Sequence, residues 1–210
     1  MQRLALIGPG RWGRILVESV QGISKTVTFT QAVARSPTKA AKWCAEQGIA
    51  LSDELITILS DPQIDGIVLA TPHSQHKDKI MQAVQAGKDL FCEKPIALTL
   101  ADAKTALQAV KNAGIVFAAG HNRRFLPAVE RMKTMIRSGD LGTILHIEGN
   151  MSSHVGFGEI YTSDMWRVAP GESPAGGPPP GPPGGHRLQS TLARALKTPF
   201  ARHGGHSSCG

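Results

Sequence analysis

Apolar positions along the chain fall into short runs separated by stretches of helical period. Leu4-Ala5-Leu6-Ile7 is a compact run that predicts a first strand, with a helix over Arg14–Val20 after it. Val27–Ala34 is rich in β-formers and predicts a second strand. Ser36-Pro37 opens a helix through Lys39–Gln47, with proline in the first turn and Gly48 as the stop. Ile64–Ala70 is nearly continuous in apolar residues, as a parallel strand covered on both faces is. A helix over His73–Ala86 ends at Gly87, and Leu90-Phe91-Cys92 reads as a fourth strand. Thr99 caps a helix over Leu100–Asn112 closed by Gly114, and Ile115–Ala119 is a fifth strand. Strands alternating with helices imply right-handed crossovers and one doubly wound parallel sheet of the α/β class.

The pattern changes after Gly120. Ala128–Ser138 predicts a basic amphipathic helix, and Leu141–Glu148 alternates like a strand with one open face. These read as the incomplete start of a second, α+β open-sheet domain, so the expected units are residues 1–120 and 121–177. From Pro178 the sequence Pro-Pro-Pro-Gly-Pro-Pro-Gly-Gly builds neither helix nor sheet, and residues 178–210 are expected to be a disordered tail.

Composition narrows the classes. Hydrophobic residues make up 41% of the 210, and the apolar runs fall far short of the ~20 residues of a membrane span. The N-terminal run is shorter than a secretory core segment and reads as a strand. Cys44, Cys92 and Cys209 are odd in number and lack metal-ligand spacing, which fits a reducing cytoplasm and no metal site. Of the net +7, four basic residues (Arg187, Arg194, Lys197, Arg202) and no acidic ones lie after residue 177, leaving +3 elsewhere. No basic cluster interleaved with aromatics precedes the tail, so nucleic acid is not the expected partner.

The first strand runs straight into Gly8-Pro9-Gly10-Arg11-Trp12-Gly13 and then a helix. Strand, glycine turn and helix together make the dinucleotide-binding (Rossmann) arrangement. Gly8 allows the sharp turn, Gly10 lets a pyrophosphate approach the backbone, and Gly13 allows close helix–strand packing. The helix start then faces the phosphates, with Arg11 and Trp12 beside them. Arg35 ends the second strand, where an NAD site commonly places an acid for the ribose hydroxyls. An arginine there can pair with a 2′-phosphate, and Ser36, Thr38 and Lys39 add donors. The expected cofactor is therefore NADP, with NAD as the alternative; a plain surface arginine is the other reading of Arg35.

Two loops follow strands at the carboxyl edge, where ligands lie in open α/β sheets. Thr71-Pro72-His73-Ser74-Gln75-His76 should run along the cofactor. His76 either faces the nicotinamide or substrate, or is a capping or solvent-exposed histidine. Glu93-Lys94-Pro95 places a lysine that could exchange a proton with a substrate oxygen.

In order and approximate spacing, the glycine loop, Thr71-Pro72-His73 with His76, Glu93-Lys94-Pro95, Gly120–Phe125 and Trp166-Arg167 resemble the glucose–fructose oxidoreductase/inositol dehydrogenase/MocA-type oxidoreductases. The resemblance covers about residues 1–177. It implies an N-terminal Rossmann domain and a C-terminal α+β domain that holds a sugar, cyclitol or other polyol and often makes the homo-oligomer contact. Lys94 would be catalytic and touch substrate and nicotinamide, with a cis Lys94–Pro95 bond. Asn122, Arg123 and Arg124 would lie at the mouth between domains, and Trp166 and Arg167 would approach the substrate, with a packing role equally open for Trp166. After Gly177 the sequence departs from the family, which continues into a helix carrying an Asp and the histidine partner of the lysine. Two accounts stand for residues 178–210: a frameshift, or a genuine cationic tail. A non-catalytic NADP-binding module is the alternative function.

Overall fold

The structure is a computed structural model, and it describes residues 1–149 together with Trp166, Ala169, Gly171 and Glu172. Six parallel strands form one sheet in the order β3-β2-β1-β4-β5-β6. They are β1 (Gln2–Ile7), β2 (Val27–Val33), β3 (Ala50–Ser52), β4 (Gly66–Leu69), β5 (Asp89–Cys92) and β6 (Phe117–Ala119). The helices are α1 (Arg11–Glu18), α2 (Thr38–Glu46), α3 (Leu55–Ser60), α4 (His76–Gln85), α5 (Leu100–Ala113) and α6 (Pro127–Ser138). This is the expected Rossmann architecture, with two additions: β3 and α3 were not legible as separate elements. β3 is three residues long and sits at the sheet edge beside β2, too short to print a periodic signal.

Alternation along the central strands divides the core into two layers. Ala5 and Ile7 of β1, Ile67 and Leu69 of β4, and Leu90 and Cys92 of β5 pack on one face with Ile80 and Ala83 of α4 and Ala106 and Val110 of α5. Leu6 of β1, Ala32 of β2 and Val68 of β4 face the other way, against Val17 of α1 and Ala40, Trp43 and Cys44 of α2. Each fully buried aliphatic side chain contributes about 1.5–3 kcal/mol of transfer free energy, and both layers share the same strands. That is why β4 reads as an unbroken apolar run: all four of its residues are buried.

β1 pairs with β2 on one side and β4 on the other, with Ile7 level with both Val33 and Leu69. The chain winds outward in opposite directions from β1 and β4. A crevice opens at their carboxyl ends, and ligands bind at such a reversal.

Beyond β6 the chain makes a short 3₁₀ turn at Asn122–Phe125 and then α6. No residue of either element is buried. The strand expected over 141–148 does not form: residues 141–149 carry no strand pairing and all are exposed. A strand is stabilised by a paired neighbour, and the described residues offer it none. The expected disordered tail lies outside the described residues.

Candidate active site

The glycine loop is built as its spacing requires. Gly8 has φ +95°, and a Cβ there would stand 2.8 Å from the Ala70 carbonyl oxygen. A Cβ at Gly13 would collide with the Gly8 carbonyl oxygen, so the helix packs tightly on its own loop. At Gly10 a Cβ would meet nothing within 4 Å; the backbone there faces open space. α1 begins at Arg11, three residues earlier than expected, and Gly13 lies in its first turn. No side chain caps its N-terminus and no acidic residue sits in that turn. The first backbone N–H groups are thus left for a ligand, and the helix dipole favours an anionic one.

Three concavities surround this loop. One, of about 420 Å³, runs from Gly8 and Gly10 past Thr71, Pro72 and Gln75 to Arg35 and Asp53, with Trp166 at its side. A second, of about 570 Å³, lies over α1, between Gly10 and Arg11 on one flank and Lys39 on the other. A third, of about 210 Å³, is lined by Trp12, Ala70, Thr71, Glu93, Lys94, Asn122, Arg123 and Trp166. Trp166 borders both the first and the third. The fit to a dinucleotide rests on this cradle: glycines where a side chain would collide, uncapped N–H groups, and space along the loop.

Most of the sequence-predicted residues converge here. Lys94 is exposed at the end of β5, and the Lys94–Pro95 bond is cis, as the resemblance implied. Glu93 is buried against Gly120, where a Cβ would come within 2.5 Å of Glu93 Oε1. Thr71 Oγ1 and Trp12 Nε1 are shielded from water and have no hydrogen-bond partner among the described residues. Arg35 lines the 420 Å³ concavity and Lys39 the 570 Å³ one, while Ser36 and Thr38 are exposed on the same turn and line neither. Arg124 is exposed on the 3₁₀ turn and does not line the third concavity; its carbonyl accepts from Lys133 Nζ at 2.8 Å. Arg167 lies outside the described residues.

The two histidines take different places. His73 Nδ1 lies 2.6 Å from the Glu172 carbonyl oxygen, and its ring meets Trp166 edge-on at 4.8 Å. The Glu172 carboxylate accepts from Ser74 N at 3.0 Å and Ser74 Oγ at 2.5 Å, docking Glu172 on this loop. His76 is fully buried and lines none of the three concavities. Its full burial excludes the solvent-exposed reading.

Other contributors were missed. Asp53 and Leu55 reach the first concavity from the undetected β3–α3 connection; Ile49-Ala50-Leu51 after Gly48 was the available signal. Arg14 rivets α1 to α2, donating to Pro9 O (3.2 Å) and Lys39 O (3.0 Å), with its guanidinium 5.2 Å from the Trp43 ring centre. Burial holds the Lys79 ammonium below its ordinary pKa, partly opposed by Asp78. Burial, reinforced by the Glu93 charge, pushes the Cys92 thiol up to about 12, so Cys92 is a protonated packing group.

Comparison with known proteins agrees with this geometry. Residues 2–121 match the family model described as an oxidoreductase family with an NAD-binding Rossmann fold. The scyllo-inositol 2-dehydrogenase (NAD(+)) of Bacillus subtilis is 34% identical over 151 residues, 70% of this chain and 43% of that protein. The crystal structure of myo-inositol 2-dehydrogenase from Lactobacillus plantarum superposes with a TM-score of 0.63 at 25% identity, over 68% of this chain and 43% of that one. In fold alone the chain also matches scyllo-inositol dehydrogenase from Lactobacillus casei with bound NAD(H) and scyllo-inositol (TM-score 0.64, 23% identity, 68% and 42% covered). The chain thus spans less than half the length of each of these relatives. Among its described residues no helix is long and apolar enough to cross a membrane. By the family model and the sheet it matches, the chain belongs to the GFO_IDH_MocA oxidoreductase family.

Proposed function

We propose that the chain carries the cofactor half of an NADP(H)-dependent oxidoreductase that moves a hydride to or from a carbinol carbon of a sugar, cyclitol or related polyol. The observation that carries this reading is the 210 Å³ concavity. It brings Trp12 of α1, Thr71 after β4, Glu93 and Lys94 after β5, and Asn122 and Arg123 after β6 to one place. The nicotinamide supplies the hydride chemistry when bound; the protein supplies binding, orientation and charge.

Gly10 and the uncapped start of α1 take the pyrophosphate. Arg35, at the position where an acid would repel it, pairs with the 2′-phosphate, and Lys39 adds a second cation from the next helix. Trp12 and Thr71 border the nicotinamide end. Lys94 Nζ holds the substrate oxygen and exchanges its proton while Asn122 and Arg123 bind neighbouring hydroxyls. A protein that binds the cofactor without turning over substrate is the second reading. It is favoured by the exposure of every residue from His121 to Ala128.

Titrating the chain with NADPH and NADH by nicotinamide fluorescence, then supplying NADP and a panel of polyols, tests both. Tighter binding of NADPH with polyol-dependent reduction supports the enzyme; tighter binding without reduction supports the binding module. Preference for NADH removes the Arg35 assignment, and failure to bind either removes the cofactor reading.

A further inference from the structure

We propose that His76 is the positioning residue for Lys94, tying the loop that carries the lysine to the loop that runs along the cofactor crevice. The imidazole is the first residue of α4 and is fully buried. Its Nδ1 lies 2.7 Å from the Pro95 carbonyl oxygen, and its Nε2 lies 2.9 Å from the Thr71 carbonyl oxygen. Both partners are carbonyl oxygens, which only accept, so a ring nitrogen that carries a hydrogen donates to the one it faces.

Thr71 lines two of the three concavities, and Pro95 follows Lys94 directly. The ring therefore spans two segments that approach the site from different strands, β4 and β5. Other ties stop short of the lysine. Glu93 N donates to Leu69 O at 2.9 Å, and Gly120 N donates to Cys92 O at 2.8 Å, both at the ends of the sheet ladder. From Lys94 to Ala97, the only hydrogen bond to the chain from the described residues is the one from His76. Beyond it, the next hydrogen bond along the chain among the described residues is at the Thr99 cap of α5, whose hydroxyl accepts from Asp102 N at 3.1 Å. A buried ring with one nitrogen facing each carbonyl is well suited to this task. An amide carries both of its donor hydrogens on one nitrogen, so it lacks the separation of the two ring nitrogens that face Pro95 and Thr71.

The role of Lys94 rests on the function proposed above, but the tether is measured on the unliganded chain, so the two can fail separately. H76Q and H76N each keep a polar side chain and one donor nitrogen. Wild type and both variants are labelled by reductive dimethylation with formaldehyde, and the rate at each lysine is read by mass spectrometry. Circular dichroism and a thermal melt report the fold.

The tether predicts a folded variant in which the Lys94 labelling rate changes by about fivefold, the equivalent of one net hydrogen bond. Lys25, Lys42 and Lys111, remote from the loop, should keep their wild-type rates. With NADPH present, protection of Lys94 should weaken in the variant by a similar factor. An unchanged Lys94 rate in a folded variant overturns the proposal. So does a rise at all lysines together, which would mean that His76 holds the whole fold and not the loop. If the wild type gives no NADPH protection but the local change persists, the tether stands and the cofactor reading falls.

Discussion

Residues 2–120 and residues 122–149 are built from similar material with opposite outcomes. The first region places its aliphatic residues in two layers around β1 and β4, with Leu6, Ile7, Ile67 and Leu69 almost wholly shielded. In the second, α6 has a clear apolar stripe in its sequence, yet Met132 and Ile136 stay about half exposed, and Leu145 is 91% exposed. An amphipathic helix is stabilised mainly by what its apolar face touches. The comparison teaches that patterning announces an element, but only a partner surface fixes it. It also locates function: the cofactor crevice belongs to the region with a closed core, whereas Asn122 and Arg123 reach the site from the region without one.

Substitutions can break this contrast, and the largest effect should come from the shared strands. Ile67→Ala should cost about 2–5 kcal/mol in chemical denaturation, because Ile67 is 2% exposed between β1 and β5. Gly120→Ala is expected next, at about 1–3 kcal/mol, since the new methyl group meets the Glu93 carboxylate. Its signature is compensation: adding Glu93→Ala should return most of the lost stability, which thermal melts of the single and double variants check. Arg35→Asp should leave stability unchanged and shift the NADPH-to-NADH affinity ratio toward NADH by about tenfold or more, as losing a charge-assisted hydrogen bond does. A further effect depends on pH. The Cys92 thiol stays protonated in the folded chain to about 12 from an ordinary 9.0. Its contribution is therefore fully present below pH 9.0 and is lost progressively as pH rises toward 12. Urea midpoints should fall less steeply across that window in Cys92→Ala than in wild type. The smallest effect belongs to the second region: Ile136→Ala should stay within about 0.5 kcal/mol.

The sequence was legible wherever local chemistry and position coincided. Gly8, Gly10 and Gly13 each had a mechanical reason to be glycine, and the structure shows the collisions at Gly8 and Gly13 that a Cβ would cause. The parallel sheet followed from apolar runs of the right length, and so did the place of Lys94 at the carboxyl end of β5. β3 escaped because three residues at a sheet edge print no period. The strand expected over 141–148 failed for a different reason: alternation states what a strand would bury and says nothing of whether a neighbour is there. His76 was ambiguous because its two carbonyl partners lie 5 and 19 residues away, and only the fold brings them together. Arg14 and Asp53 were invisible as site residues because their roles depend on the approach of α2 and β3.

The most direct measurement is equilibrium titration of the folded chain with NADPH, followed by nicotinamide fluorescence and by competition with NADP. If residues 2–120 hold a complete dinucleotide site, binding saturates at one equivalent per chain, is reversed by NADP, and is tighter than binding of NADH. A chain that shows a cooperative thermal melt yet gives no saturable NADPH signal would contradict the account.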